Sequence, residues 1–160
     1  MQTAFPPAVY DPACRRCARL AAFLDTVRAA HPGYHAAPVA PFGSRDARLL
    51  VVGLAPGMHG ANASGRPFTG DHDGILLYRT LHRFGFADRP ESRHVDDGLR
   101  LPECRITNAV KCLPPQNMPQ RAEIGNCREY LAAELALLAP GAVVVALGRI
   151  AHETLLRAWG

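Results

Sequence analysis

Three short apolar runs separated by helical patterns limit the fold of this chain more than any other feature of its sequence. The runs are LLVVGLA at residues 49–55, RITNAVK at 105–111 and AVVVALG at 142–148, and each has the length of a strand. Helical spacing of apolar residues occurs at 15–30, at 74–84, at 121–138 and from about residue 149. Strands that alternate with helices form parallel sheets with right-handed crossovers. We therefore predict an α/β fold with a parallel central sheet flanked by helices.

Loops rich in glycine or proline follow the predicted strands. The longest, GLAPGMHGANASGRPFTGD, runs from Gly53 to Asp71 and contains one large aromatic residue, Phe68. Ligands of open parallel sheets bind beyond the carboxyl ends of the strands, which is where these loops begin. We expect the loop that contains Phe68 to form the rim of a pocket.

Composition and charge narrow the class of protein. The 160 residues are 48% hydrophobic and 20% charged, which is typical of one globular domain (1–160) and not of a disordered tail. No segment approaches the roughly 20 apolar residues of a membrane span. The N-terminal segment has no apolar signal core, which favours the cytoplasm. The net charge of +4 permits a polyanionic partner without requiring one.

Four of the five cysteines have a spacing that favours a metal site. Cys14 and Cys17 form a CxxC pair, and Cys112 and Cys127 follow the second predicted strand. In a cytosolic chain this pattern indicates metal more often than disulfides. Four thiolates suit either structural zinc or a 4Fe–4S cluster, and small core residues are the alternative. Cys104 has no partner in the pattern, and we expect a plain buried thiol.

Three motifs occur together in this order: GLAPGMHGANASGRPFTGD, TNAVKCLPPQNMP and the four-cysteine pattern. Together they resemble the iron–sulfur uracil-DNA glycosylases, α/β enzymes that cleave the base–sugar bond of deaminated bases in DNA. The resemblance runs from Cys14 to about Leu156. Leu54 stands where the family-four branch has an acidic residue. The sequence is therefore most similar to family five (type b), which acts on uracil, hypoxanthine and other altered bases.

The resemblance implies a DNA-repair glycosylase, a hydrolase that cuts the N-glycosidic bond of uracil and leaves an abasic site. It also implies a three-layer sheet-and-helix fold, a 4Fe–4S cluster (structural zinc being the alternative) and uracil-containing DNA as the partner. Neither a membrane nor a second subunit is expected. The cluster would tie the N-terminal helix to the loop after the second strand.

Residues that would bind an extruded base follow from the same resemblance. Phe68 would stack on the base, for which the alternative is a side chain that anchors its loop to the core. Asn108 would read the pairing edge of uracil with its amide, for which the alternative is a turn former. The other side of the pocket would be lined by backbone groups of Gly53, Leu54, Ala55 and Gly57.

Asp71 is the expected catalytic carboxylate, because a negative charge stabilises the positive charge that develops on the sugar. The alternative is an N-cap for the helix predicted from Gly74, although Asp73 lies nearer to that helix. We expect His59, His72 and Arg66 to contact phosphate or to be solvated surface residues. The lysine and proline of KCLPP would pack the cluster loop against DNA.

The sequence departs from the family at its C-terminal end. Family members carry a further strand and a His-Pro-Ser loop, whose histidine donates to the oxygen that gains charge on the departing uracil. Here the chain stops at Gly160, and His152 lies within a helical pattern. We therefore expect the last strand to be absent, the chain being a truncated protein or a shortened paralogue. Loss of one such donor costs a factor of about 10²–10³ in rate. A non-catalytic iron–sulfur nucleic-acid-binding module is thus the second hypothesis.

Overall fold

The computed structural model describes residues 8–160 and shows an α/β fold with one four-stranded sheet. Residues 1–7, which are part of the N-terminal segment used to argue for the cytoplasm, lie outside the described residues. The strands are β1 (Phe42–Gly43), β2 (Leu49–Gly53), β3 (Cys104–Asn108) and β4 (Val143–Ala146). The helices are α1 (Ala18–Ala30), α2 (Ala61–Ser64), α3 (His72–Arg83), α4 (Arg121–Leu135) and α5 (Arg149–Trp159), and a 3-10 turn spans Pro115–Asn117.

The sheet has the order β1-β3-β2-β4. The three strands predicted from sequence are parallel, with β2 between β3 and β4, so the parallel central sheet is confirmed. β1 is a two-residue strand that pairs antiparallel with β3. It was not predicted, because two residues are too few to form an apolar run in the sequence. The parallel register pairs Gly53 with Asn108, which brings the ends of β2 and β3 to the same edge.

Helices cover both faces of the sheet. On one face, Tyr78 and Leu81 of α3 pack with Val51 of β2 and Ile106 of β3. On the other face, the buried cluster consists of Leu50 and Val52 of β2, Leu131 of α4 and Ala151 of α5. Neighbouring residues of β2 thus enter opposite layers, as the alternation of side chains along a strand requires. The three-layer arrangement is confirmed.

A third cluster joins α1 to the loops beyond the carboxyl ends of the strands. Leu24 and Val27 of α1 pack with Ala36 and with Leu113, which follows β3. The apolar spacing of this helix was predicted correctly, and His31 ends it as expected. The helix begins at Ala18 rather than residue 15, so Cys14 lies before the first turn and Cys17 at the N-cap position.

The observed boundaries differ most from the predicted ones at the start of α3, at the end of β3 and at the end of α4. α3 begins at His72, not Gly74, because the side chain of Asp71 accepts a hydrogen bond from the backbone N–H of Gly74. β3 ends at Asn108, three residues before the predicted end, and the chain then turns towards α1. α4 ends at Leu135, where residue 138 was expected.

β4 lies at the edge of the sheet with part of one face uncovered. Val143 is 60% exposed and Val145 is 40% exposed, on the face where Val51 of the neighbouring strand is covered by α3. Within residues 8–160, no helix combines the length and the apolar character needed to cross a membrane.

Candidate active site

A cleft of about 900 Å³ opens beyond the carboxyl ends of β2 and β3. All the residues expected to bind or cleave lie along its wall, and the structure thus brings them together: Gly53, Leu54, Ala55, Gly57, Phe68, Asp71 and Asn108. The position agrees with the rule that parallel sheets bind ligands outside their carboxyl edge.

Gly53 allows two side chains to meet at the base of the cleft. A Cβ atom at this position would lie 2.4 Å from Oδ1 of Asn108 and 2.6 Å from Cζ of Phe68. Both contacts are far below van der Waals distance, so a larger residue at 53 displaces the amide or the ring. The amide of Asn108 has no hydrogen-bond partner among the described residues, and the residue is only 4% exposed. Its donor and acceptor are therefore available to a ligand.

Phe68 both anchors its loop and lines the cleft. Its backbone has φ +53°, a left-handed conformation that is uncommon for a non-glycine residue. The side chain packs against the cluster around Val51 and Tyr78, while part of the ring faces the cleft. Tyr78 fixes the loop by donating a hydrogen bond of 2.7 Å to the carbonyl of Pro67. Phe68 therefore anchors its loop, which was the alternative considered for it, while the role of its ring in stacking on a base stays a prediction.

Arg66 is buried, which corrects the expectation of a phosphate contact or a solvated side chain. Its guanidinium donates to Asp97 at 2.8 Å, to Ser92 at 3.0 Å and to the carbonyl of Val95 at 3.0 Å. Burial alone would raise the pKa of Asp97, but hydrogen bonds from backbone N–H groups and from Arg66 outweigh it and hold that pKa well below its usual range. The ion pair joins the Phe68 loop to the irregular segment before β3.

The two carboxylate oxygens of Asp71 have different environments. Oδ1 accepts the N-capping hydrogen bond from Gly74 at 3.0 Å, so Asp71 and not Asp73 caps α3. Oδ2 faces Gly60, where a Cβ atom would lie 2.2 Å away, and Gly57, where it would lie 3.7 Å away. One oxygen is therefore used by the helix, and the other is directed towards glycines that line the cleft.

The rim of the cleft includes residues that sequence analysis missed. Leu76 and Thr80 of α3, Asn117 and Leu147 all lie along it. Leu147 directly follows β4, so the rule that ligands bind beyond the carboxyl ends of parallel strands could have predicted it. Asn117 follows no strand directly and has φ +54°, which no sequence pattern indicated. His59 is exposed on the rim, and its Nδ1 lies 2.7 Å from the hydroxyl oxygen of Tyr34.

Lys111 is buried, and the expectation that it packs the cluster loop against DNA is wrong. It is 2% exposed and lies 2.7 Å from the carboxylate of Glu134 on α4. Arg105 donates to the other oxygen of the same carboxylate at 3.0 Å. Thr107 donates to it at 2.7 Å.

Cys14, Cys17, Cys112 and Cys127 line one small cavity between α1, α4 and the loop after β3. Burial, with smaller contributions from the charges of the three other thiols, raises the pKa of Cys112 to about 12. The backbone N–H of Lys111 donates to Sγ of Cys127 at 3.3 Å, and the amide of Asn126 donates to Sγ of Cys17 at 3.5 Å. The four cysteines expected to act as ligands are thus neighbours in space.

The wall of the cysteine cavity also contains a polar group without a partner. The hydroxyl of Tyr130 lies in its wall and has no hydrogen-bond partner in the described part of the chain. Within residues 8–160, no three His, Cys, Asp or Glu side chains are placed to hold a metal ion. Cys104 lies apart from the cavity in β3 as a fully buried thiol, and its burial raises its pKa to about 12, as expected of a core residue.

Comparison with known proteins identifies the family. The sequence profile described as the uracil DNA glycosylase superfamily matches residues 40–159, which include the cleft and the sheet. The chain belongs to the uracil DNA glycosylase superfamily. This superfamily member is 48% identical over 153 residues to the type-5 uracil-DNA glycosylase of Thermus thermophilus, a match that covers 92% of the chain and 69% of that relative.

Further relatives support the resemblance to the type-5 branch. The type-5 uracil-DNA glycosylase of Pyrobaculum aerophilum is 42% identical, with 92% of the chain and 66% of the relative covered. That of Mycobacterium tuberculosis is 43% identical, with 92% and 58% covered. The type-4 enzyme of Pyrobaculum aerophilum is 35% identical over 70% of the chain and 50% of its own length. The glycosylase-family chain thus spans between 58% and 69% of the length of these type-5 relatives.

Proposed function

We propose that this chain is a uracil-DNA glycosylase, which hydrolyses the bond between uracil and deoxyribose in DNA. The observation that carries the proposal is the convergence of Phe68, Asn108 and Asp71 on one cleft. A base stacked in a duplex is out of reach of a cleft and must be extruded, at a cost of a few kcal/mol. The named relatives, which are themselves uracil-DNA glycosylases, support the same activity.

In this proposal Phe68 and Asn108 bind the extruded base. The ring of Phe68 stacks on the base, a contact worth about 1–3 kcal/mol per base. The free amide of Asn108 pairs with the edge that uracil otherwise presents to adenine, since an amide offers both a donor and an acceptor. Backbone groups of Gly53, Leu54, Ala55 and Gly57 line the rest of the pocket. Because Gly53 has no side chain, Asn108 and Phe68 can both lie beside it and face the base.

Asp71 is the catalytic residue in the proposed reaction. As the bond to the base breaks, its electron pair leaves with the base and positive charge develops on the sugar. Oδ2 of Asp71 stabilises that charge and accepts a proton from the water that attacks the sugar carbon. The departing base takes up one proton from solvent, and Asp71 afterwards releases the proton it accepted to solvent, so one water is added across the broken bond. Because Oδ1 is fixed by Gly74, Oδ2 is held in place before the substrate arrives.

We also propose that Cys14, Cys17, Cys112 and Cys127 hold a 4Fe–4S cluster. The donor set of four thiols is the one that such a cluster uses. Four thiols also suit a single structural zinc ion, which is the alternative. The resemblance to the iron–sulfur branch of the superfamily favours the cluster. When bound it supplies iron–sulfur bonds that join α1, α4 and the loop after β3.

The test uses a labelled oligonucleotide with a single uracil, incubated with the protein and then treated with alkali. We expect strand breakage at the uracil only, and none in the same oligonucleotide with thymine. A chain that binds the uracil strand without producing an alkali-labile site supports the non-catalytic iron–sulfur module instead. The glycosylase names of the relatives do not favour that alternative. A cytoplasmic location and a monomeric state stay predictions from the sequence.

A further inference from the structure

Lys111 occupies a site built for three hydrogen bonds. Its ammonium group donates to the carboxylate of Glu134 at 2.7 Å, to the hydroxyl of Thr107 and to the backbone carbonyl of Asn108 at 3.0 Å. An ammonium group has three N–H donors and no acceptor. Each donor therefore has one acceptor, in a position that is only 2% exposed.

Lysine at position 111 is unusual for this sequence, whose other strongly basic residues are arginines. The sequence contains 18 lysine and arginine residues together, and Lys111 is the only lysine. An arginine would bring five donors in a planar fork to a site with three acceptors, so it is not an equivalent residue here. The only lysine of the sequence thus stands at a site whose three acceptors match the three donors of an ammonium group.

Stability alone is a weak reason for burying this charge. Replacing buried ion pairs with apolar residues of similar volume is often neutral or stabilising, because desolvation offsets the attraction. Glu134 moreover already has Arg105 as a cationic partner at 3.0 Å. What Lys111 adds is the contact that Arg105 does not make, the hydrogen bond to the carbonyl of Asn108.

That hydrogen bond acts on the residue proposed to read the base. Asn108 is the last residue of β3, and beyond it Ala109 and Val110 donate to the carbonyls of Gly53 and Leu54, both at 2.9 Å. Lys111 donates to the carbonyl of Asn108 itself. The backbone around Asn108 is thereby held by two sets of hydrogen bonds, while its amide has no partner among the described residues.

We propose that Lys111 is a positioning residue for base recognition, which acts by fixing Asn108 through its carbonyl, with Glu134 holding the ammonium group. This inference rests on the proposed function, because it assigns Asn108 to the pairing edge of uracil. Lys111 does not touch the substrate in this role. Its loss changes how well the protein distinguishes uracil from a base with a different pairing edge, and not only how much folded protein is present.

The test compares binding to two oligonucleotides that carry either 2′-fluoro-deoxyuridine or 2′-fluoro-deoxycytidine at one position. Fluorine at this carbon opposes positive charge on the sugar, so neither base is released during a fluorescence-anisotropy titration. Cytosine differs from uracil at the edge that Asn108 would read. For Lys111→Met we expect the preference for uracil to fall about tenfold, equivalent to about 1.4 kcal/mol, the size of one hydrogen bond.

Arg105→Met is the matched control. Arg105 is buried to a similar extent, 5% against 2% exposed, and has the same partner, Glu134, but donates to Gly43 instead of Asn108. We expect it to lower the melting temperature and to keep the uracil preference within about twofold of the original, the scatter of independent sites. A Lys111→Met protein that keeps the full preference, or an Arg105→Met protein that loses it equally, overturns the inference.

A double-variant measurement separates a direct role from loss of structure. On an Asn108→Ala background, Lys111→Met is expected to cause no further loss of preference, because the group it positions is gone. Should Lys111→Met not fold, the triple variant Arg105→Met, Lys111→Met and Glu134→Leu replaces it, since it leaves no unpaired buried charge. The triple variant is expected to show the same tenfold loss, and a retained preference contradicts the inference. If the original chain itself shows no preference for uracil, the proposed function fails first.

Discussion

Asp71 and Gly60 face each other so closely that a Cβ atom on Gly60 would lie 2.2 Å from Oδ2 of Asp71. The glycine leaves space for the carboxylate oxygen that is not used in capping α3. The other oxygen accepts a hydrogen bond from Gly74 at 3.0 Å. Two glycines on either side of one aspartate thus determine where its charge lies, and this arrangement leads to the first two predictions.

Asp71→Asn is expected to reduce the rate of uracil release by a factor of about 10²–10³, the usual cost of removing one preorganised electrostatic group. Asparagine is as good an N-cap as aspartate, so the melting temperature should change little. Alkali-developed cleavage under single-turnover conditions and thermal unfolding by circular dichroism measure the two effects. Asp73→Asn, in the first turn of the same helix, is the control and should keep its rate. Equal rates for both variants would show that Asp71 only caps the helix.

Gly60→Ala is expected to lower the same rate, because a Cβ atom at residue 60 would lie 2.2 Å from Oδ2 of Asp71 and must displace it. Gly125→Ala is the matched control, because nothing lies within 4 Å of a Cβ atom there and the residue is inside α4. The control should stabilise the fold by about 0.5–1 kcal/mol, since alanine favours helix over glycine. Single-turnover cleavage and urea unfolding report the two quantities. An unchanged rate for Gly60→Ala would contradict the placement of the carboxylate.

Cys112→Ala is expected to abolish the visible absorption of purified protein and to lower its melting temperature. The reason is that removal of one thiol leaves three ligands for the proposed cluster. Cys104→Ala is the control: its thiol is as strongly shifted by burial, with a pKa of about 12 in both cases, but it lies outside the cavity. Absorption spectra and iron analysis distinguish the two variants. A colourless original protein that contains zinc would refute the iron–sulfur proposal.

Stability should fall in acid through Asp97. Its folded-state pKa is depressed, so its contribution is fully present above the unfolded value of about 3.9 and is lost as pH falls towards the folded value. Glu123, whose pKa is lowered first of all by its hydrogen bonds with Arg19, acts in the same direction. Urea unfolding at about pH 7 and about pH 3 measures the loss. Asp97→Asn should reduce the difference between the two conditions, whereas exposed Asp46→Asn should leave it unchanged.

The sequence predicted those parts of the site whose signal is local. Short apolar runs located β2 and β3, and the rule for strand ends then located Gly53 and Asn108 at one edge. Phe68 and Asp71 lie in a loop that starts from the same edge, so their place in the cleft followed from chain order. The start of α3 was missed by two residues because capping by Asp71 outweighed the apolar spacing used to set it.

The partners of buried charges were not predictable in this way. Arg66 pairs with a residue 31 positions away, and Lys111 with one 23 positions away. Each of these ion pairs joins two different elements of the fold. The periodicity within a single helix or strand therefore cannot indicate which residues pair. A lone basic residue in a loop motif gives the same sequence signal whether it is solvated or paired. Burial therefore had to be seen in three dimensions.

The capping role of Asp71 has a consequence for how this protein tolerates change. The acid proposed for chemistry and the first hydrogen bond of α3 belong to the same side chain. An insertion or deletion at the start of α3 therefore shifts the helix and the acid as one unit. Sequence drift in α3 away from its first turn is free of this constraint, whereas the boundary between loop and helix is fixed by two requirements at once.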